Sequence, residues 1–346
     1  MRILRVVLVV LVFSFGLTAS TYGPDRMMVR YGRMTAQSWV LWKIRRTNLV
    51  KLRSHEGGRV AWIIGSSVLR DAFDEKAINA ALAEQGSPWR VAKYGMVRGA
   101  PFPSVGLLSK LPVQPGDRVI TSVSPDNFRK DWLEYSELPD DRLLMLFSPG
   151  DLWAIEALPV QKRLELLTAV PPDVHRYHSE YMRGVAKWAR ALVRFKTPRR
   201  ARPAHHTTFR KTEYEPQIAR TRGNPRASYH YIDSEEADYS DAQLNIQGIQ
   251  TLRERTAAAG AELMLFDLPH RREYYDLFLP SEVRLAWDGW RAEQPDVYGM
   301  PQVPDDDFYD FKHTNVRGRE TLSDYLVTWM AETPKGELVW LRSEGQ

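Results

Sequence analysis

The chain has 346 residues, 43% of them hydrophobic and 26% charged, which leaves ample material for a packed core and makes disorder not the default. That length accommodates one large domain or two small ones. A net charge of +5 is too mild to indicate a nucleic-acid partner, and the lack of cysteine excludes disulfides, thiolate metal sites and a cysteine nucleophile.

The N-terminus places Arg2 and Arg5 before an uncharged run from Val6 to Pro24, whose most apolar part ends at Leu17. That pattern predicts a signal peptide or short signal anchor over residues 1–24, and hence an exported protein. Residues 25–58 form a basic segment carrying Arg26, Arg30, Arg33, Lys43, Arg45, Arg46, Lys51 and Arg53. It reads either as an amphipathic helix on a membrane surface, with Trp39, Leu41, Trp42, Ile44 and Leu49 towards lipid, or as a charged helix packed on the domain.

Residues 59–335 are expected to form the folded domain. The run Val60-Ala61-Trp62-Ile63-Ile64 reads as a buried parallel strand, followed by Gly65-Ser66-Ser67 and a helix. Gly65 permits a sharp turn, and the two serines compete for the helix N-cap; Ser67 then lies among N–H groups that favour negative charge. A second strand runs from Trp89 to Tyr94 and a third lies within DRVITSVSPDNF. Strand, helix, strand, helix, strand at short intervals predicts right-handed crossovers and a parallel sheet. Ligands of such sheets bind beyond the carboxyl ends of the strands, and Ser67, Gly95 and Asn127 all fall there.

An insertion is expected over about 140–242. Within it Asp151 to Val170 and Ser179 to Phe195 read as helices, and Arg199, Arg200, Arg202, Arg210 and Lys211 surround His205-His206. Adjacent histidines without a carboxylate beside them read as an exposed loop rather than a metal site. Gln243 to Ala259 predicts a helix and Gly260 to Pro269 a fourth parallel strand, with His270 at its carboxyl end and Asp267 as its nearest acid. Trp287, Trp290 and Tyr298 read as core or lid.

Near the C-terminus, DDDFYDFKHTNVRG puts Asp310 three residues before His313 and leads into a periodic helix. One helical turn brings i and i+3 side by side. Asp310 would then accept the Nδ1 proton of His313, leaving Nε2 to take a proton from a nucleophile. Asn315 is expected to cap the following helix, and Gly318 to mark close approach of another backbone.

The early GSS and late DxxHxNxxG together resemble the first and last blocks of the SGNH (GDSL-like) hydrolases. The resemblance covers roughly residues 59–135 and 245–330. It implies a three-layer α/β/α fold, flavodoxin-like, with Ser67 as nucleophile, His313 as base and Asp310 as its partner. Gly95 in KYGMVRG matches the glycine whose N–H helps form the oxyanion hole. The family's Gly-x-Asn-Asp is replaced by Ser124-Pro125-Asp126-Asn127, and a carboxylate from Asp126 would repel an oxyanion, so either the loop shifts by one and Asn127 serves or the hole depends on backbone N–H groups.

GSS and a strand ending in Ser-Pro look more like the membrane-anchored relatives that transfer D-alanyl or acetyl groups to cell-surface polymers. That likeness implies an exported serine esterase or O-acyltransferase without cofactor or metal. Its partners would be an acyl donor, a polysaccharide or other hydroxyl acceptor, and a membrane-bound O-acyltransferase. A plain secreted carboxylesterase and a catalytically degenerate binding or assembly protein remain as alternatives.

Overall fold

A computed structural model describes residues 43–44, 47–55, 58–95, 101–128, 243–272, 274–275 and 281–332, with Val40, Phe147, Gly150, Val160 and Leu164 placed singly. The expected signal segment, the His205-His206 loop and nearly all of the insertion over 140–242 lie outside the described residues. Among the described residues no helix is long and apolar enough to cross a membrane.

Five strands form one parallel sheet: β1 (Arg59–Gly65), β2 (Trp89–Gly95), β3 (Arg118–Val123), β4 (Glu262–Asp267) and β5 (Val297–Gly299). Their order is β2-β1-β3-β4-β5, the doubly wound arrangement whose strand order reverses between β1 and β3. The seven helices of the described regions are α1 (Leu49–Arg53), α2 (Ser67–Ala72), α3 (Glu75–Glu84), α4 (Pro101–Leu108), α5 (Gln243–Ala258), α6 (Ser281–Ala292) and α7 (Val316–Glu332).

The two-residue period of a strand distributes β1 between two cores. Val60, Trp62 and Ile64 face one side with Phe102 and Val105 of α4 and Leu252 of α5. Ala61 and Ile63 face the other with Leu69 and Ala72 of α2, Ile78 and Leu82 of α3, and Leu322 and Leu326 of α7. On the α5 side, Trp287 of α6 is core, packed with Ile249 and Leu265. The expected three-layer α/β/α architecture with a parallel sheet is therefore what forms. Sheet growth in one direction carries its helices on one face and growth in the other on the opposite face, as right-handed crossovers require.

The described part of the basic segment packs on the domain. Val40 is buried, and Ile44 and Leu52 lie partly buried against Trp62, Tyr94 and their neighbours. Ile44 thus faces protein core rather than lipid, whereas Val50 is 81% exposed. Thr47 Oγ1 and Tyr94 Oη share a 2.6 Å hydrogen bond, and Lys43 donates to the Lys93 carbonyl at 2.7 Å.

Asp117, just before β3, anchors the amino-terminal edge of the sheet. Its buried carboxylate accepts from Arg53 Nη1 (3.0 Å) and Nη2 (2.6 Å), Val60 N (3.1 Å), Trp62 Nε1 (2.8 Å) and Gln114 N (2.9 Å). Burial alone would raise its pKa, but the Arg53 guanidinium and the other donors hold it below the ordinary carboxylate value.

Candidate active site

Gly65 ends β1 with φ +151°, and a Cβ there would stand 2.9 Å from Leu69 Cδ2 and 3.2 Å from Thr121 Oγ1. Only glycine lets the chain turn this sharply into α2. The N-cap contest is settled between the serines: Ser66, in extended backbone, caps α2 by accepting from Leu69 N, and Ser67 occupies the first helical position. Its hydroxyl is thereby released from capping. Ser67 Oγ lies 2.9 Å from His313 Nε2.

His313 stands on a bend rather than on the helical turn that its spacing to Asp310 suggested. An antiparallel bridge between Phe308 and Thr314 and the bond from Tyr309 N to His313 O (3.0 Å) close the bend. Inside it, Asp310 Oδ1 accepts the N–H groups of Lys312 (2.8 Å) and His313 (2.7 Å), while Oδ2 meets His313 Nδ1 at 2.7 Å. Asp residues favour such turns because the short carboxylate reaches the N–H two residues on. With Oδ1 committed to backbone, Oδ2 has one orientation. Nδ1 carries the proton towards Asp310, and Nε2 is the acceptor for Ser67.

The loop is held to α7 as its sequence suggested. Asn315 Oδ1 accepts from Arg317 N (2.9 Å) and Gly318 N (3.3 Å), so it caps α7. A Cβ on Gly318 would stand 2.5 Å from the Asp307 carbonyl, the close approach that glycine permits.

Burial by itself would lower the His313 pKa, but the adjacent Asp310 carboxylate, with a smaller contribution from Asp71, raises it above the ordinary 6.5. Asp310 moves the other way: burial raises it, and His313 with the two N–H donors brings it below 3.8. A base must be neutral to accept a proton, so Ser67 reactivity is expected to decline as pH falls through a value above 6.5. A rate profile for Ser67 modification with its acid midpoint at or below 6.5 would contradict this electrostatic account.

Gly95 ends β2 in register with Gly65. A Cβ there would stand 2.3 Å from Arg70 Cβ and 3.0 Å from Arg70 Cα. It is the point where α2 crosses the sheet edge, and Lys93 beneath donates to the Arg70 carbonyl at 2.6 Å and to the Phe73 carbonyl, satisfying the carboxyl end of α2. Gly95→Ala must push α2 away and Ser67 with it. We expect a loss of roughly 1–3 kcal/mol, read as a lower urea midpoint, together with slower Ser67 modification in the folded protein.

Asn127 lies in a 3-10 turn, Pro125–Phe128, beyond β3. Its Oδ1 accepts from Ser124 N (2.8 Å) and Ser124 Oγ (3.3 Å), and its carbonyl accepts from Asn245 Nδ2 (2.7 Å). The amide oxygen is thus turned into its own loop. The Asp126 side chain lies outside the described residues.

His270, the competing histidine, is buried with its ring stacked on Tyr274 (centroids 4.7 Å apart), and its Nδ1 meets Tyr275 Oη at 3.4 Å. Asp267 is engaged by Arg291 at 3.0 Å, and burial pushes its pKa up to about 7. Among the described residues no group of three or more histidines and carboxylates is placed to hold a metal.

Sequence reasoning passed over Asp71, beside the base, and the residues that meet it, Arg70, Tyr309 and Arg319. Asp71 is buried, bound by Arg70 Nε (2.8 Å) and Nη2 (3.0 Å), and accepts from Tyr309 Oη at 2.9 Å. An acid on a short helix reads as a solvated face, and apart from the adjacent Arg70 its partners are 238 or more residues distant.

The chain matches no known family model and no curated protein sequence.

Proposed function

We propose that this chain is a serine acyl-transfer enzyme of SGNH type, with Ser67 as nucleophile, His313 as general base and Asp310 as its orienting acid. The single observation that carries the reading is the continuous line of hydrogen bonds from Ser67 Oγ through His313 to Asp310 Oδ2. Its location beyond the carboxyl ends of parallel strands, beside the β1/β3 reversal of strand order, adds support, because ligands of such sheets bind there.

In the proposed reaction His313 Nε2 takes the Ser67 proton as Oγ bonds to an ester carbonyl carbon. The tetrahedral oxyanion is stabilised by the N–H groups of Ser67 and Gly95 and by Asn127 Nδ2. His313 returns the proton to the departing alkoxide as the carbon–oxygen bond breaks, which leaves acyl-Ser67. It then takes the proton of an acceptor hydroxyl, whose oxygen attacks the acyl carbon and restores Ser67.

The acceptor we propose is a sugar hydroxyl of a cell-surface or extracellular polysaccharide, and the partner supplying the acyl donor a membrane-bound O-acyltransferase. This rests on the resemblance of GSS and Ser-Pro to the membrane-anchored acyl-transfer proteins. Export and tethering rest on Arg2, Arg5 and the apolar run behind them.

The test is p-nitrophenyl acetate turnover by the full chain, with and without an oligosaccharide, beside Ser67→Ala. We expect p-nitrophenol release to fall by about 10³-fold or more in the variant, and mass spectrometry to find acetyl groups on the sugar in the wild type. Equal release by both proteins contradicts the nucleophile assignment. Release without sugar acetylation contradicts the acceptor and favours a plain carboxylesterase.

A further inference from the structure

Asp310 fixes the tautomer and rotation of His313, but not how far the imidazole stands from the helix that carries Ser67. A second set of contacts does so, and it converges on Asp71, one helical turn beyond Ser67 on α2.

Two residues flanking His313 reach that point from the loop. Tyr309 lays its ring along the imidazole, with centroids 5.5 Å apart and planes 15° apart, and donates its hydroxyl to Asp71 Oδ2 at 2.9 Å. Thr314 Oγ1 donates to the Asp71 carbonyl at 3.1 Å, and Arg319 Nε of α7 joins it at 2.9 Å. Arg70 holds the Asp71 carboxylate through two nitrogens, so the acceptor for Tyr309 is itself fixed. Ser323 Oγ, accepting from Asp74 N at 2.9 Å, ties α7 to the junction between α2 and α3.

We propose that Asp71 and Tyr309 are positioning residues for the base, setting the Ser67 to His313 separation and holding the imidazole face against a fixed ring. The inference rests on the acyl-transfer reading of Ser67. It adds to that reading a second anionic group near the base that the nucleophile, base and acid do not contain.

The charged and titratable groups facing His313 are Asp310 and Tyr309 on its own loop and Asp71 and Arg70 on α2. Burial, reinforced by the Asp71 charge, raises the Tyr309 phenol far above its ordinary value, so it stays protonated and remains a donor. Burial alone would raise Asp71, yet Arg70 keeps it below 3.8 and therefore ionised. Its negative charge favours the imidazolium that forms as Ser67 gives up its proton.

The experiment measures the rate of Ser67 modification by a fluorophosphonate against pH in full-length wild type, Tyr309→Phe and Asp71→Asn, with thermal melts as the check on folding. Tyr309→Phe keeps the ring and removes only the hydroxyl, so it folds even if Asp71→Asn is destabilised. We expect Tyr309→Phe to slow modification by up to about 10²-fold through misplacement of the base. Asp71→Asn should also move the acid midpoint to lower pH, a change that a merely structural role would not produce. If the wild type reacts while Tyr309→Phe matches its rate within about twofold and its pH midpoint, the positioning inference is overturned and the acyl-transfer reading stands. An unreactive wild type overturns both.

Discussion

Asp310→Asn is expected to lower the rate of Ser67 acylation by about 10⁴-fold while leaving the fold intact. The size follows from which oxygen does what. Oδ1 accepts two backbone N–H groups, so an asparagine keeps its carbonyl oxygen there and places Nδ2 where Oδ2 stood. An N–H then faces His313 Nδ1, the imidazole must carry its proton on Nε2, and that nitrogen donates to Ser67 instead of accepting from it. The raised His313 pKa also falls, because its main favourable neighbour is neutralised. The check is single-turnover acylation together with imidazole NMR. A variant that acylates within tenfold of wild type would mean that Asp310 is not the group orienting the base.

Asp117→Ala is expected to cost roughly 3–5 kcal/mol of stability, the range for removing one partner of a buried ion pair. The substitution leaves Arg53, Trp62 Nε1 and the N–H groups of Val60 and Gln114 without the acceptor they share at the amino-terminal edge of the sheet. Each stranded donor retains its desolvation cost. The urea midpoint at constant slope measures the loss, and the surviving folded fraction should still modify Ser67 at the carboxyl-terminal edge. The same carboxylate sets an acid limit. Its folded pKa is depressed below 3.8, so its contribution is full above that value and is lost as pH falls through the folded value. A midpoint unchanged between wild type and Asp117→Ala would remove Asp117 from the account of stability.

The strands at the centre of the sheet were legible because burial on both faces writes a continuous apolar run, as in Val60 to Ile64. β5 was not: three residues at the sheet edge carry no period. α6 also escaped, although Trp287 and Trp290, three apart with ring centroids 5.4 Å apart, were its signal.

At the candidate site, the types and spacing of Ser67, Asp310 and His313 pointed to one constellation, and the structure brings their side chains together. Spacing alone did not reveal how Asp310 reaches His313, since a bend held by its own Oδ1 and a helical turn put residues i and i+3 equally close. The Asp71 contacts were illegible because they join the start of the fold to its end. Lys93 was hidden for another reason: it sits in an otherwise apolar strand, and only the fold shows that its ammonium satisfies the end of α2.

Whether Ser67 is an activated nucleophile is read by intact-mass analysis of the full chain after treatment with a fluorophosphonate, beside Ser67→Ala. His313 and Asp310 are 20% and 25% exposed, so a reagent reaches the site without a natural substrate being known. One phosphonyl adduct is expected on the wild type, mapped to Ser67, and none on the variant. A folded wild type that stays unmodified, or an adduct that persists in Ser67→Ala, would contradict Ser67 as the nucleophile.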